Sequence, residues 1–296
     1  MKMLWAIDPF LASSKAHAAT FAYMKLLGKG NAQIAVAYVA SPAEINLSAA
    51  FDRPAGERYT RFPLELIKKA LKSAKVAIPT KLIEVLPEMR ISQTSAVDRL
   101  LEHAEKLKAE VIVLNTHSRK GLARMVLGSF AESVIHRSEI PLLVSNPSGK
   151  PRPAIKNILY AADFEGEKDP GFEKALELAK QTRAKLCVLH CAGPMYEWPD
   201  NPKEPAVAKH KQVVNSRALE VARIARLAGV TADVLVDARF EEVSKSVLRY
   251  AAAKKADLIV LNAKAGRFQA LLGGSTTRKV LRAAKQPVLV VKSVNK

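Results

Sequence analysis

Ala109-Glu-Val-Ile-Val-Leu-Asn115 and Ala256-Asp-Leu-Ile-Val-Leu-Asn262 share an acidic second residue, an apolar run and a terminal asparagine at an offset of 147 residues. A match over seven positions at one offset signals an internal repeat, and repeats decide a fold before any local pattern does. Downstream, Gly128-Ser129 recurs as Gly274-Ser275, and Ile140-Pro141-Leu-Leu-Val144 as Gln286-Pro287-Val-Leu-Val290, both at an offset of 146, so the loop between differs by one residue. Upstream, Leu4-Trp-Ala-Ile-Asp8 answers Leu159-Tyr-Ala-Ala-Asp163. The chain is a tandem duplication. Its 296 residues agree, because roughly 150 residues per domain sets a prior of two.

Within each copy, short apolar runs rich in branched residues alternate with longer segments of helical period, the pattern of βαβ units around a parallel sheet covered on both faces. In the first copy the strands are expected over Lys2–Asp8, Ala32–Val39, Thr80–Leu86, Val111–Asn115 and Pro141–Val144. The helices are expected over Ser14–Leu27, ended by Gly28 and Gly30, then Pro63–Lys75, Thr94–Leu107 and Ser129–Arg137. The second copy repeats this with strands Asn157–Asp163, Lys185–Cys191, Thr231–Asp237, Asp257–Asn262 and Pro287–Val291. Its helices are Gly171–Arg183, Pro205–Ala228, Phe240–Lys254 and Ser275–Ala283. The fold class is α/β, two tandem doubly wound domains over residues 1–147 and 154–296, with a compositional break at Pro147–Pro153.

The composition fits a packed domain: 49% hydrophobic, 25% charged, with 13 Gly and 16 Pro, which speaks against disorder and collagen-like repeats. No apolar run reaches the roughly 18 residues of a membrane span, and the first stops at Asp8, so the expected location is the cytoplasm. Cys187 and Cys191, four apart on one strand, are too far apart to bridge. Net charge is +19, divided as 21 basic against 13 acidic residues up to Lys150 and 26 against 15 beyond it. A charge spread over both halves favours anionic partners and does not bear on fold.

In open parallel sheets, ligands bind beyond the carboxyl ends of the strands where strand order reverses. Asp8 closes the first strand. The segment Asn115-Thr-His-Ser-Arg-Lys-Gly-Leu-Ala-Arg-Met-Val-Leu-Gly128-Ser129 leaves the fourth strand and enters a helix. With Ser129 as cap, that helix presents free N–H groups and a positive dipole end to an anion, with Arg119, Lys120 and Arg124 nearby. A solvated connector that only permits the turn is the plainer alternative.

On these residues the chain resembles a tandem universal stress protein, over Lys2–Ser145 and Ala154–Lys292. The resemblance implies an adenine nucleotide alpha hydrolase-like fold, with the first strand's Asp near the adenosine and a loop G-x-x-G, nine residues, G-[ST] around the phosphates. The first copy keeps that spacing as Asn115, Ser118 and Gly128-Ser129, without the first two glycines. Glycine there lets backbone approach phosphate at positive φ, which Asn tolerates moderately and Ser less well, so ATP binding is weakened. The second copy, Asn262 to Gly274-Ser275, is one residue shorter and has Ala265 in place of the second glycine; Asp163, Lys264, Arg267 and Gly273 remain to hold an anion. The first copy ranks ahead on spacing. In both, the family's Gly-Ser after the first Asp is missing: Pro9-Phe10 and Phe164-Glu165 stand there.

Other candidates carry less. His190 with Cys187 and Cys191 has no second ligand pair at metal spacing, and packing in a buried strand accounts for it. His117 lies beside the phosphate loop as a nucleotide contact or a solvated loop residue. Residues 40–62 and 192–204, the latter with Met195, Tyr196 and Trp198, are long connections suited to a lid or a binding loop. No catalytic nucleophile is recognisable. The function expected is a stress-response module binding adenine nucleotide or another small anionic ligand and signalling through protein contacts. The alternatives are a slow ATPase, for which Asp8 and Asp163 are the strand-end carboxylates, or a basic scaffold for nucleic acid or anionic lipid, which lacks any recognition motif. Family dimers use the last strand, so Pro141–Val144 and Pro287–Val291 are expected to pair as an internal pseudo-dimer, and a homodimer of the whole chain stays open.

Overall fold

The computed structural model describes residues 1–10, 13–40, 55–90, 92–115, 129–146, 153–164, 169–193, 205–239, 241–264 and 275–293. It divides into two compact units, Met1–Pro151 and Arg152–Lys296. In the first, β1 (Lys2–Ala6), α1 (Ser14–Leu27), β2 (Gln33–Ala40), α2 (Ala55–Ser73), β3 (Ile83–Pro87), α3 (Gln93–Lys106), β4 (Val111–Asn115), α4 (Ser129–Arg137) and β5 (Leu142–Ser145) alternate. The ladders are parallel in the order β3-β2-β1-β4-β5. The second unit repeats this with β6 (Asn157–Ala162), α5 (Pro170–Thr182), β7 (Lys185–Cys191), α6 (Pro205–Leu227), β8 (Ala232–Asp237), α7 (Val243–Ala253), β9 (Leu258–Lys264), α8 (Ser275–Ala283) and β10 (Val288–Ser293). Its order is β8-β7-β6-β9-β10, again parallel. This is the doubly wound α/β architecture expected of each copy.

Every residue of β4 is buried. Successive strand side chains point to opposite faces, so such a strand needs helices on both sides. Leu4, Trp5, Ile112 and Leu143 fill the first core, and Leu159, Tyr160, Ile259 and Val260 the second.

Local signals set most boundaries. Ser13 caps α1, its hydroxyl accepting the Ala16 N–H at 3.2 Å. The helix stops at Gly28, where a Cβ would come within 2.5 Å of the Ala32 side chain, and at Gly30, whose φ of +79° suits glycine. The largest departure from the expected boundaries is at α2, which begins at Ala55, eight residues before Pro63, and carries the proline inside. Pro63, Ile67 and Leu71 form one buried stripe at i, i+4 spacing, so packing of the proline ring outweighs the single backbone hydrogen bond it removes. The last eight residues of the long connection expected over 40–62 are therefore helix. The first strand ends at Ala6 rather than Asp8, β3 starts at Ile83 after a 3-10 turn over Thr80–Leu82, and α7 starts at Val243 behind its Glu242 cap instead of at Phe240.

Candidate functional site

The order of each sheet turns between its first and fourth strands, β1 beside β4 and β6 beside β9, which places a crevice at their carboxyl ends. In the first unit Asp8 lies two residues beyond β1. Its Oδ1 accepts the Phe10 N–H at 2.9 Å and closes a tight turn. Behind it, His17 Nε2–H donates to the Asp8 carbonyl at 3.2 Å; since a carbonyl only accepts, the imidazole proton sits on Nε2. His17 is 1% exposed. That burial lowers its pKa below the usual histidine value, against the opposing pull of the Asp8 carbonyl and charge.

Asn115 ends β4 with its amide committed inward. Trp5 Nε1–H donates to Asn115 Oδ1 at 3.1 Å, and Asn115 Nδ2 donates to Thr20 Oγ1 at 2.6 Å. The Thr20 hydroxyl lies 2.9 Å from the Ala16 carbonyl and 3.0 Å from Ser145 Oγ. This buried chain ties β1, β4 and β5 to α1. In front of it is a cavity of roughly 270 Å³ with Asp8, Tyr38, Leu114, Asn115 and Phe130 in its wall.

The second unit places equivalent residues in a different network. Tyr160 stands where Trp5 does, and its hydroxyl donates to Asp169, 2.5 Å and 2.7 Å from the two carboxylate oxygens. Asn262 Nδ2 donates to both Tyr160 Oη and Asp169 Oδ1 at 2.8 Å. Asp169 also caps α5, accepting the Phe172 N–H at 2.9 Å. Burial, followed by the Asp169 charge and hydrogen bond, pushes the Tyr160 phenol far above its ordinary range, so it remains a protonated donor. Gly171 makes this packing possible: a Cβ there would lie 2.1 Å from Asn262 Oδ1.

The cavity beside this network is roughly 540 Å³. Asp163, Phe164, His190, Asn262 and Thr277 line it, together with His210, Val213 and Val214 from α6. Phe164 follows Asp163 at φ +57°, a left-handed conformation that costs a bulky residue strain. Its ring stacks on His190 with centroids 4.4 Å apart. His190 Nδ1–H donates to the Ala162 carbonyl at 3.0 Å. Cys187 and Cys191 have thiols pushed up to about 11, burial being the main cause. Among the described residues no three His, Cys, Asp or Glu side chains group as metal ligands, and no helix is long and apolar enough to cross a membrane.

The expected residues Asp8 and Asn115 thus meet at one cavity wall, and Asp163 and Asn262 at the other. Ser129 and Ser275 open α4 and α8, and Lys264 ends β9. His117, Ser118, Arg119, Lys120, Arg124, Gly128, Ala265, Arg267, Gly273 and Gly274 lie outside the described residues, as do Met195, Tyr196 and Trp198. Sequence reasoning missed His210 and the Tyr160 and Asp169 partners of Asn262. The signal for His210 was its spacing of three and four to Val213 and Val214, one helix face. Asp169-Pro170 reads as a cap and first-turn proline, with nothing local to announce its second partner.

The family model for universal stress proteins matches the chain twice, over residues 1–146 and 154–292. A universal stress protein of Methanocaldococcus jannaschii is 37% identical over 81 residues, 27% of this chain and 42% of that protein. One of Mycolicibacterium smegmatis is 27% identical over 203 residues, 67% of this chain and 66% of that protein. The chain therefore spans less than two thirds of these relatives' lengths. A solved universal stress protein from Archaeoglobus fulgidus is alike in fold, with a TM-score of 0.58, 18% identity and 98% of each chain covered.

Proposed function

The chain belongs to the universal stress protein family, matched over both halves, and from that membership and its two crevices we propose a stress-response protein that binds adenine nucleotide or another small anionic ligand. The observation that carries this reading is the repeated placement of an aspartate, Asp8 and Asp163, in the wall of a cavity at the strand-order switch. Small-molecule sites typically enclose about 300–1,000 Å³. The second cavity, roughly 540 Å³, falls inside that range and the first, roughly 270 Å³, just under it. The missing loop glycines weaken the grip on phosphate, so ATP holds no automatic advantage over AMP, and signalling proceeds through protein contacts in the cytoplasm. Isothermal titration of the full chain with ATP, AMP and adenosine tests it. At least one should bind saturably and weaken roughly tenfold on Asp8→Ala or Asp163→Ala, the loss of a hydrogen-bonded charge; no binding by any of them would remove the reading.

The net charge of +19 favours a second reading, a scaffold for nucleic acid or anionic lipid. It predicts association with duplex DNA that falls steeply with salt, as counterion release requires. Tight, sequence-selective binding at physiological salt would promote it. We also propose, on the apolar last strands of the repeat, that Pro141–Val144 and Pro287–Val291 pair within the chain. An experimental structure with these strands apart would refute that pairing.

A further inference from the structure

We propose that His210 is the specificity-determining residue of the second unit's cavity, recognising a neutral heteroatom in the nucleoside part of its ligand; the inference rests on the nucleotide-binding reading above. His210 Nε2 is buried and has no hydrogen-bond partner among the described residues, and its side chain lines the cavity. An unsatisfied buried polar atom costs free energy in the empty protein. A side chain that lines a cavity can turn such an atom towards a bound molecule, which then supplies the partner.

The surroundings indicate which part of a ligand this is. Val213 and Val214 follow His210 at i+3 and i+4 and line the same cavity, so the wall contributed by α6 combines one imidazole nitrogen with apolar surface. A wall of that kind suits a flat, weakly polar group with a single hydrogen-bonding atom, a base or a sugar hydroxyl. A phosphate calls for convergent donors and charge. The hydroxyl-bearing Thr276 and Thr277 of the first turn of α8 are also in the lining and offer the more suitable place for an anion. Among the described residues the first unit has no counterpart: none of those lining its cavity comes from α2. Among the described residues, the imidazole in the second cavity's wall thus sets the two halves apart in how they select a ligand.

The test uses the full chain and adenosine, AMP and ATP as probes in titration calorimetry. His210→Ala should weaken adenosine and ATP by the same factor, roughly five- to tenfold for one neutral hydrogen bond. His210→Gln, whose amide reaches near the Nε2 position, should recover most of that loss. Because the empty protein gains nothing from the orphaned nitrogen, His210→Leu should leave its unfolding temperature unchanged or raised while still losing affinity. Unchanged adenosine affinity in His210→Ala, with binding still lost in Asp163→Ala, overturns this assignment alone. A loss confined to ATP overturns it by placing the contact at phosphate, and equal losses in His210→Ala and His210→Gln overturn it in favour of packing. Failure of every probe to bind the unsubstituted protein overturns both this and the nucleotide reading.

Discussion

Gly171→Ala sets two effects of opposite sign against each other. Alanine in place of glycine in a helix gains roughly 0.5–1 kcal/mol. In this chain the new Cβ would stand 2.1 Å from Asn262 Oδ1, 2.7 Å from its Cγ and 3.0 Å from Tyr160 Cε2. The amide cannot simply turn over, because Asn262 Nδ2 donates to Tyr160 Oη and to Asp169, and the flipped group would present an oxygen to the carboxylate. Displacing it forfeits one neutral and one charge-assisted hydrogen bond in a part-buried setting, about 2–4 kcal/mol together. The net expectation is destabilisation by about 1–3 kcal/mol. Urea unfolding of the full chain would measure it, with hydrogen exchange in peptides of α5 and β9 to localise the change, since a chain of two units need not unfold in one step. The double substitution Gly171→Ala with Asn262→Ala should cost less than the two single costs summed, because the clash partner is gone. A Gly171→Ala protein as stable as its parent, or strict additivity in that cycle, would refute the reasoning.

Asn115→Gly restores the family's glycine but strips Trp5 Nε1 and Thr20 of their partner; we expect a loss of about 2–4 kcal/mol in urea unfolding. His17 and His103 both sit below the usual histidine pKa, burial being the first cause in each. The unfolded chain therefore binds protons more readily, so their contribution is complete above about pH 6.5 and is lost as pH falls towards the folded values. Unfolding temperature should drop from about pH 7 to pH 5, and His17→Phe should flatten that slope; an unchanged slope would count against His17. With their thiols raised to about 11 by burial, Cys187 and Cys191 carry roughly a hundredfold less thiolate at neutral pH than an ordinary cysteine. A disulfide reagent should label them slowly in the native chain and promptly in urea, and fast native labelling would contradict the raised thiols.

The tandem α/β architecture was readable because repetition and strand periodicity are properties of consecutive residues. Ala109–Asn115 and Ala256–Asn262 carry a buried strand in their own composition, and Ser13 with Gly28 brackets α1 at both ends. The start of α2 was not readable, because Pro63 is an ordinary first-turn residue, and only its alignment with Ile67 and Leu71 against the core explains its place inside the helix. At the site, Asp8 and Asp163 follow from strand ends. The partners of Asn115 and Asn262 do not, since Thr20 and Asp169 occupy non-equivalent positions on their helices. His210 was hidden for a related reason: its unpaired nitrogen depends on what packs around α6, not on consecutive residues.

The two asparagines hold their amides in opposite senses. Asn115 turns its oxygen to an indole that can only donate, whereas Asn262 turns its nitrogen to a phenol that accepts from it while donating to a carboxylate. Identical residues thus run inverted circuits in the two copies, and the circuits are not exchangeable. Transplanting β1 into the second copy would set an indole N–H where Asn262 Nδ2 already donates, two donors facing each other across a buried gap. The reverse graft would let a phenol donate to Asn115 Oδ1 in place of the indole but leave the phenolic oxygen without an amide donor, because Asn115 Nδ2 is committed to Thr20. Exchanging β1 for β6 would therefore cost stability in either copy, so each circuit binds its copy to its own first strand.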